Sequence, residues 1–126
     1  MTTGLLEHVN VTVADPRRSA ELFNDLFGWR IRWEGPSMLG GRTIHVGSDD
    51  QYLAVYTNED VEVADPKFRK GVPLNHVGVV VDNLDMVEDK VKAAGLEPFG
   101  HEDYDPGRRF YFFDWNGIEF EVVSYA

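Results

Sequence analysis

The sequence contains no cysteine, and this absence removes several classes of chemistry. Without thiols the chain cannot form disulfides, zinc ribbons or iron–sulfur clusters, and it has no thiol nucleophile. No apolar run approaches the ~20 residues that a membrane-spanning helix needs. The first residues, Met1-Thr2-Thr3-Gly4, carry no basic segment followed by an apolar one, so we expect no signal peptide and a cytoplasmic protein.

Basic residues are scarce as well. The chain has 12 Lys and Arg against 22 Asp and Glu, which gives a net charge of −10. Such a protein is repelled by phosphate backbones and anionic lipids, so we expect neither nucleic acid nor membrane as a partner. The sequence also lacks a phosphate-binding loop, a nucleophile elbow and a dinucleotide fingerprint. The charge itself says little about the substrate.

The chain does contain one sequence pattern that occurs twice. The segment Leu-Glu-His-Val-Asn-Val-Thr-Val at 6–13 aligns with Leu-Asn-His-Val-Gly-Val-Val-Val at 74–81, an offset of 68. Each copy continues with a capped amphipathic helix and three short strands. The pattern predicts an α+β fold of 126 residues in a single domain, with βαβββ modules at 4–57 and 74–125 and a linker at 58–73. Because each module has a helix on one sheet face only, we expect the two open faces to form one cupped mixed sheet around a central site.

Two histidines hold the same place in the two repeats. Strand alternation directs the valines of the first strand of each module towards its helix and leaves His8 and His76 on the open face. In the last strand the same alternation places Glu119 and Glu121 on the open face. Two neutral imidazoles and one carboxylate form a facial triad that suits Fe(II) or a similar ion. We therefore predict a metal site of His8, His76 and Glu121, with Glu119 as a neighbour or a rim charge.

The tandem βαβββ modules and these three residues resemble the vicinal oxygen chelate superfamily over essentially the whole chain. This superfamily includes glyoxalase I, extradiol dioxygenases, fosfomycin resistance enzymes and metal-free bleomycin-binding proteins. The resemblance implies that His8, His76 and Glu121 hold a divalent metal. Fe(II) is expected first, with Mn(II), Ni(II) or Zn(II) as alternatives. It also implies a homodimer.

The position of the fourth ligand separates the branches of this superfamily. Glyoxalase-like members carry Glu, Gln or His on the fourth strand of the first module. Counting back from Glu121 by about the repeat offset reaches Ala54, and alanine cannot bind a metal. The set of three ligands is instead similar to that of extradiol ring-cleaving dioxygenases.

A second stretch also resembles the extradiol branch. Tyr111, Asp114, Gly117 and Glu121 match the spacing of its signature, although Trp115 stands where proline is usual. A histidine precedes this stretch, His101, one residue further from the tyrosine than in the extradiol pattern. By this resemblance Tyr111 and His101 are catalytic candidates that would contact substrate and bound oxygen.

Three further residues are candidates for binding the substrate. Tyr52 and Tyr56 flank Ala54 on the same strand face, and His45 lies on the preceding strand. The leading hypothesis is a dioxygenase-like enzyme whose substrate chelates the metal through neighbouring oxygens. A glyoxalase-like lyase or isomerase, with Glu119 or His45 as the base, stays open as an alternative. So does a metal-free protein that binds a small molecule such as an antibiotic.

Overall fold

The structure is a computed structural model that describes residues 3–60, 74–104 and 107–126. In the first repeat the elements are β1 (His8–Thr12), α1 (Pro16–Phe27), β2 (Arg30–Pro36), β3 (Arg42–Gly47) and β4 (Tyr52–Thr57), with a short 3₁₀ helix at Met38–Gly40. In the second repeat they are β5 (Val77–Val80), α2 (Leu84–Ala93), β6 (Phe99–Tyr104), β7 (Gly107–Phe113) and β8 (Glu119–Ser124).

Each repeat forms its own four-stranded sheet. The strand order is β1-β4-β3-β2 in the first sheet and β5-β8-β7-β6 in the second. The first and last strands of each repeat are parallel neighbours, and the other pairs are antiparallel. The predicted α+β class and the tandem βαβββ modules are thereby confirmed. The chain divides into two compact units, Met1–Glu62 and Val63–Ala126, and most of the predicted linker lies outside the described residues.

Both helices begin at a side-chain cap. The carboxylate of Asp15 accepts a hydrogen bond from the backbone N–H of Arg18 at 3.2 Å, and Asn83 caps α2 by accepting from Met86 at 3.0 Å. The first helix ends at Gly28, whose φ of 70° is readily adopted by glycine. Among the described residues, no helix is both long and apolar enough to cross a membrane.

The core of each unit lies between the helix and one face of its sheet. In the second unit, Phe110, Phe112, Phe120 and Val122 are fully buried, and the rings of Phe112 and Phe120 stack with centroids 5.2 Å apart. Burying side chains of this size contributes roughly 1.5–3 kcal/mol each. Because side chains alternate along a strand, the residues between these positions lie on the other face of the sheet.

A β-bulge interrupts the second strand of each repeat. The register of β2 against β3 shifts by one residue between Ile31 and Trp33, and that of β6 against β7 shifts between Phe99 and Glu102. In β6 the shifted segment includes Gly100, whose φ is 65°. A bulge inserts one extra residue, so the alternation of side chains changes phase across it.

Candidate functional site

Two of the three predicted metal ligands meet in the second unit. His76 directly precedes β5 and lies beside β8, with its Nε2 atom 3.9 Å from Oε1 of Glu121. The other ring nitrogen, Nδ1, lies 3.4 Å from Oε2 of Glu119. One imidazole therefore has a carboxylate next to each of its two nitrogens.

The spacing of Nε2 and Oε1 suits a shared divalent ion. Two donor atoms that each lie about 2.1 Å from an ion at right angles are roughly 3 Å apart. The observed 3.9 Å exceeds that value, so side-chain rotation would have to bring the two atoms onto one ion. Within the ranges that the structure describes, no group of three or more His, Asp or Glu side chains could hold a metal. His8 belongs to the other unit, so its place as the third ligand stays a prediction.

Glu119, which was expected as a neighbour or a rim charge, is buried. Only 2% of its side chain is exposed, although it stands on the same side of β8 as Glu121. An ionised carboxyl in such a position is costly unless donors or opposite charges surround it. Its Oε2 atom lies 3.4 Å from Nδ1 of His76, so Glu119 is a neighbour of this predicted ligand.

Glu121 is held by two residues of β7. The hydroxyl of Tyr111 donates a hydrogen bond to Oε1 of Glu121 at 2.7 Å, and Nη1 of Arg109 lies 3.8 Å from the same oxygen. The hydrogen bond to Glu121 is the main cause that raises the pKa of Tyr111 to about 12, and burial and the charge of Glu121 add to it. Tyr111 therefore remains a neutral phenol at physiological pH, with its proton directed at a predicted metal ligand.

Arg109 is a site residue whose role the sequence left undecided. It stands two positions before Tyr111 on β7, and its guanidinium lies over the ring of Tyr104, 4.6 Å from the centroid. Its side chain is 12% exposed. The signal that could have found it is strand alternation, which places residues 109 and 111 on one face.

His101 lies on the opposite face of the second sheet. Its Nε2 atom is 2.8 Å from Oε1 of Glu88 on α2, and its ring stacks with Phe110 of the core face, with centroids 6.0 Å apart. Phe99, before the bulge, instead contacts the ring of Tyr111 at 5.9 Å. The bulge changes which side chains of β6 lie on each face of the sheet. His101 therefore faces the helix and lies on the opposite face from Tyr111.

In the first unit, four rings form a row across the sheet. The ring of Tyr52 lies between those of His8 and His45, with centroid distances of 4.8 and 4.5 Å, and Trp33 follows His45 at 4.9 Å. The guanidinium of Arg32 lies over Tyr52, 4.6 Å from its centroid. Burial is the main cause that lowers the pKa of His45, and the nearby His8 and Arg32 lower it further. Of the predicted substrate-binding residues, the structure brings Tyr52 and His45 together with His8.

Tyr56, the third predicted substrate-binding residue, makes local contacts. It is buried, and its hydroxyl donates to the carbonyl of Met38 and accepts from Nδ2 of Asn58, both at 2.9 Å. These two bonds tie the 3₁₀ turn and the end of β4 to the sheet. Tyr56 therefore supports local structure in the first unit, and its role in binding the substrate stays a prediction.

Comparisons with known proteins place the chain in a family. The profile of the Glyoxalase/Bleomycin resistance protein/Dioxygenase superfamily matches residues 5–122, and the chain belongs to this superfamily. The structure is similar to a glyoxylase/bleomycin resistance protein/dioxygenase domain from Frankia sp. EAN1pec, with a TM-score of 0.80, 18% identity, and 98% of both chains covered. No curated protein sequence matches the chain.

Two other similar structures are fosfomycin resistance proteins. FosX from Listeria monocytogenes, crystallised with Mn(II) and sulfate, has a TM-score of 0.72 and 16% identity, over 98% of this chain and 93% of FosX. FosX from Mesorhizobium loti has a TM-score of 0.71 and 23% identity, over 97% of this chain and 91% of that one. At these identities the likeness extends to the fold alone.

Proposed function

We propose that this protein is a divalent-metal-dependent enzyme, dioxygenase-like, that acts on a small substrate with two neighbouring oxygens. In this proposal His76 and Glu121 bind the metal together with His8. The observation that carries it is the approach of the His76 Nε2 atom to Oε1 of Glu121, 3.9 Å away on the open face of one sheet. A three-residue set of two imidazoles and one carboxylate leaves positions on the ion for substrate.

The relatives support a divalent metal and a small substrate. FosX from Listeria monocytogenes was crystallised with Mn(II), and a mutant of it with Mn(II) and 1S,2S-dihydroxypropylphosphonic acid. This phosphonic acid carries hydroxyls on neighbouring carbons. We therefore propose Fe(II) or Mn(II) for this chain, with Ni(II) and Zn(II) as further candidates for loading experiments.

The protein's own residues would have distinct roles in this site. A bound divalent ion would supply Lewis acidity to the two substrate oxygens. The hydrogen bond from Tyr111 fixes the orientation of Glu121, and Arg109 partly offsets its charge. In the first unit, Tyr52 and His45, whose rings stack, would contact the substrate. We also propose a cytoplasmic homodimer, whose assembly state sedimentation would measure.

Metal content is the test of this proposal. Protein purified anaerobically would be loaded with Fe(II), Mn(II), Ni(II) or Zn(II), freed of excess, and analysed for bound ions. We expect about one ion per chain in the parent, and its loss in His76→Ala and Glu121→Ala with the fold retained. His101→Ala is the matched control, because this histidine faces the helix of the same unit. A parent without metal, or variants that bind like the parent, would contradict the proposal.

The reaction class is tested on the loaded protein. Oxygen uptake with catechol-type substrates supports the dioxygenase-like reaction. Proton exchange at a substrate carbon without oxygen uptake would assign the lyase or isomerase alternative. The row of rings in the first unit favours a second candidate, a metal-free small-molecule binding protein. Ligand binding that is unchanged after metal removal would support that candidate.

A further inference from the structure

We propose that Glu119 is a positioning residue that sets the orientation and tautomer of His76. In this arrangement the buried carboxylate accepts the Nδ1 proton and leaves the Nε2 lone pair directed towards Glu121. The proposal rests on the proposed metal site, and it gives the two glutamates of β8 separate tasks. Glu121 binds the ion, and Glu119 holds the ring that binds it.

Burial of both atoms is the first step of the argument. Glu119 is 2% exposed, and the Nδ1 atom of His76 is buried too. Within the described part of the chain this nitrogen has no hydrogen bond, and it lies 3.4 Å from Oε2 of Glu119. A buried imidazole N–H that lacks an acceptor is destabilising. A small ring rotation that completes this bond therefore stabilises one tautomer over the other.

Strand register is the second step. Val77 pairs with Phe120 across the parallel strands β5 and β8, so the residue before each of them, His76 and Glu119, are neighbours as well. Glu119 and Glu121 are two positions apart and share a sheet face. The backbone itself thus presents one carboxylate to each nitrogen of the ring. A neutral imidazole that donates from Nδ1 can bind a metal only through Nε2.

The first repeat supplies an internal comparison. There His8 pairs with Tyr52, which stacks on its ring instead of presenting a carboxylate. The Nδ1 atom of His8 lies 2.9 Å from Oε1 of Glu7, but the two side chains are 45% and 63% exposed. Exposed pairs of this kind contribute little. Glu7 is therefore a matched control for Glu119, since each carboxylate faces the Nδ1 atom of a predicted ligand.

The experiment uses three variants of the full chain: Glu119→Leu, Glu119→Gln and Glu7→Gln. Nitrogen NMR on the metal-free protein reports the tautomer of His76, with His76→Ala to assign its signals. Competition with a chelator measures the affinity for Mn(II). We expect the parent ring to carry its proton on Nδ1. Glu119→Leu should lose this preference and bind Mn(II) about 10–100-fold more weakly, which is typical when the partner of a ligand histidine is removed.

The conservative variants separate positioning from charge and from folding. Glu119→Gln keeps an oxygen that accepts from Nδ1, so we expect it to retain the tautomer and to bind more tightly than Glu119→Leu. Glu7→Gln should stay within about twofold of the parent, because its pair is exposed. A folded Glu119→Leu or Glu119→Gln with the parent's tautomer and affinity would overturn the proposal, as would an Nε2 proton in the metal-free parent. If the parent binds no metal, the proposed metal site is wrong. The tautomer of His76 in the metal-free protein still tests the role of Glu119.

Discussion

Ala54 and Glu121 occupy equivalent positions in the two sheets. Ala54 pairs with Asn10 on β1, and Glu121 pairs with Gly78 on β5, where residues 10 and 78 differ by the repeat offset of 68. The second repeat thus has a carboxylate where the first has a methyl group. The strand register therefore agrees with the count along the sequence, which also reached Ala54 as the counterpart of Glu121.

Ala54→Glu should restore a ligand at a cost in stability. Ala54 is buried, so an added carboxylate without a metal should lower the free energy of unfolding by about 2 kcal/mol or more. If the proposed site is correct, saturating Mn(II) should raise the melting temperature of this variant more than that of the parent. Ala54→Met, of similar size but with a soft donor that Mn(II) disfavours, is the control. Equal Mn(II) shifts in both variants would exclude Ala54 from the site.

The ionisation of Tyr111 should depend on Glu121. Because the hydrogen bond to Glu121 is the main cause that raises its pKa to about 12, Glu121→Gln should lower the midpoint towards the usual value of 10. Carbon NMR of the labelled ring, followed against pH in the metal-free protein, measures this. Glu102→Gln should have a smaller effect, since the charge of Glu102 contributes less. Equal shifts in the two variants would show that general charge, rather than this bond, controls the phenol.

His45 should make the protein less stable in mild acid. Its pKa is lowered from 6.5 in the folded state, so the unfolded chain binds the proton more tightly. The contribution of neutral His45 to the free energy of unfolding is fully present above pH 6.5. It is lost as the pH falls from 6.5 through the lower pKa of the folded state. The melting temperature of the parent minus that of His45→Gln should therefore be smaller at pH 5.5 than at 7.5. This difference in melting temperature should be constant between pH 7.5 and 8.5. A larger difference at pH 5.5 than at pH 7.5 would contradict the expected direction of the effect.

Gly47→Ala should disturb the strand pair that carries Tyr52. A Cβ atom at Gly47 would overlap the carbonyl oxygen of Gln51 and would lie 2.5 Å from the Cα atom of Tyr52, and this backbone cannot move aside cheaply. We expect a loss of about 2 kcal/mol in the free energy of unfolding, measured with urea. Gly78→Ala is the control, because nothing lies within 4 Å of its added Cβ. Similar losses in both variants would mean that strand propensity, not overlap, determines the cost.

The fold could be predicted from the sequence because its signals are local and repeated. The valine alternation after His8 and after His76, and the caps at Asp15 and Asn83, each determine an element without help from distant residues. The strands and helices of both repeats accordingly lie within the predicted modules at 4–57 and 74–125. The repeat then supplied the topology, since each copy must place its helix on one face of its own sheet.

The parts of the site that could not be predicted depend on non-local geometry. Alternation assigned Glu119 to the open face, but it does not predict that only 2% of this side chain is exposed. His101 was expected to contact substrate and bound oxygen as Tyr111 does, but a bulge beginning after Phe99 places it on the opposite face of the sheet. A single extra residue in one strand leaves little trace in composition or periodicity, although Gly100 with its positive φ is a typical companion of such a shift.

The two bulges also affect one edge of each sheet. β2 and β6 each form one edge of their sheet, and β1 and β5 form the other; an unbroken row of N–H and C=O groups at an edge would recruit a strand from another molecule. The irregular register near Ile31 and Phe99 interrupts that row in each repeat. Growth of a continuous intermolecular sheet from these edges is therefore disfavoured. Each repeat thus has a one-residue insertion that protects one sheet edge against aggregation. In β6 this insertion also redirects His101.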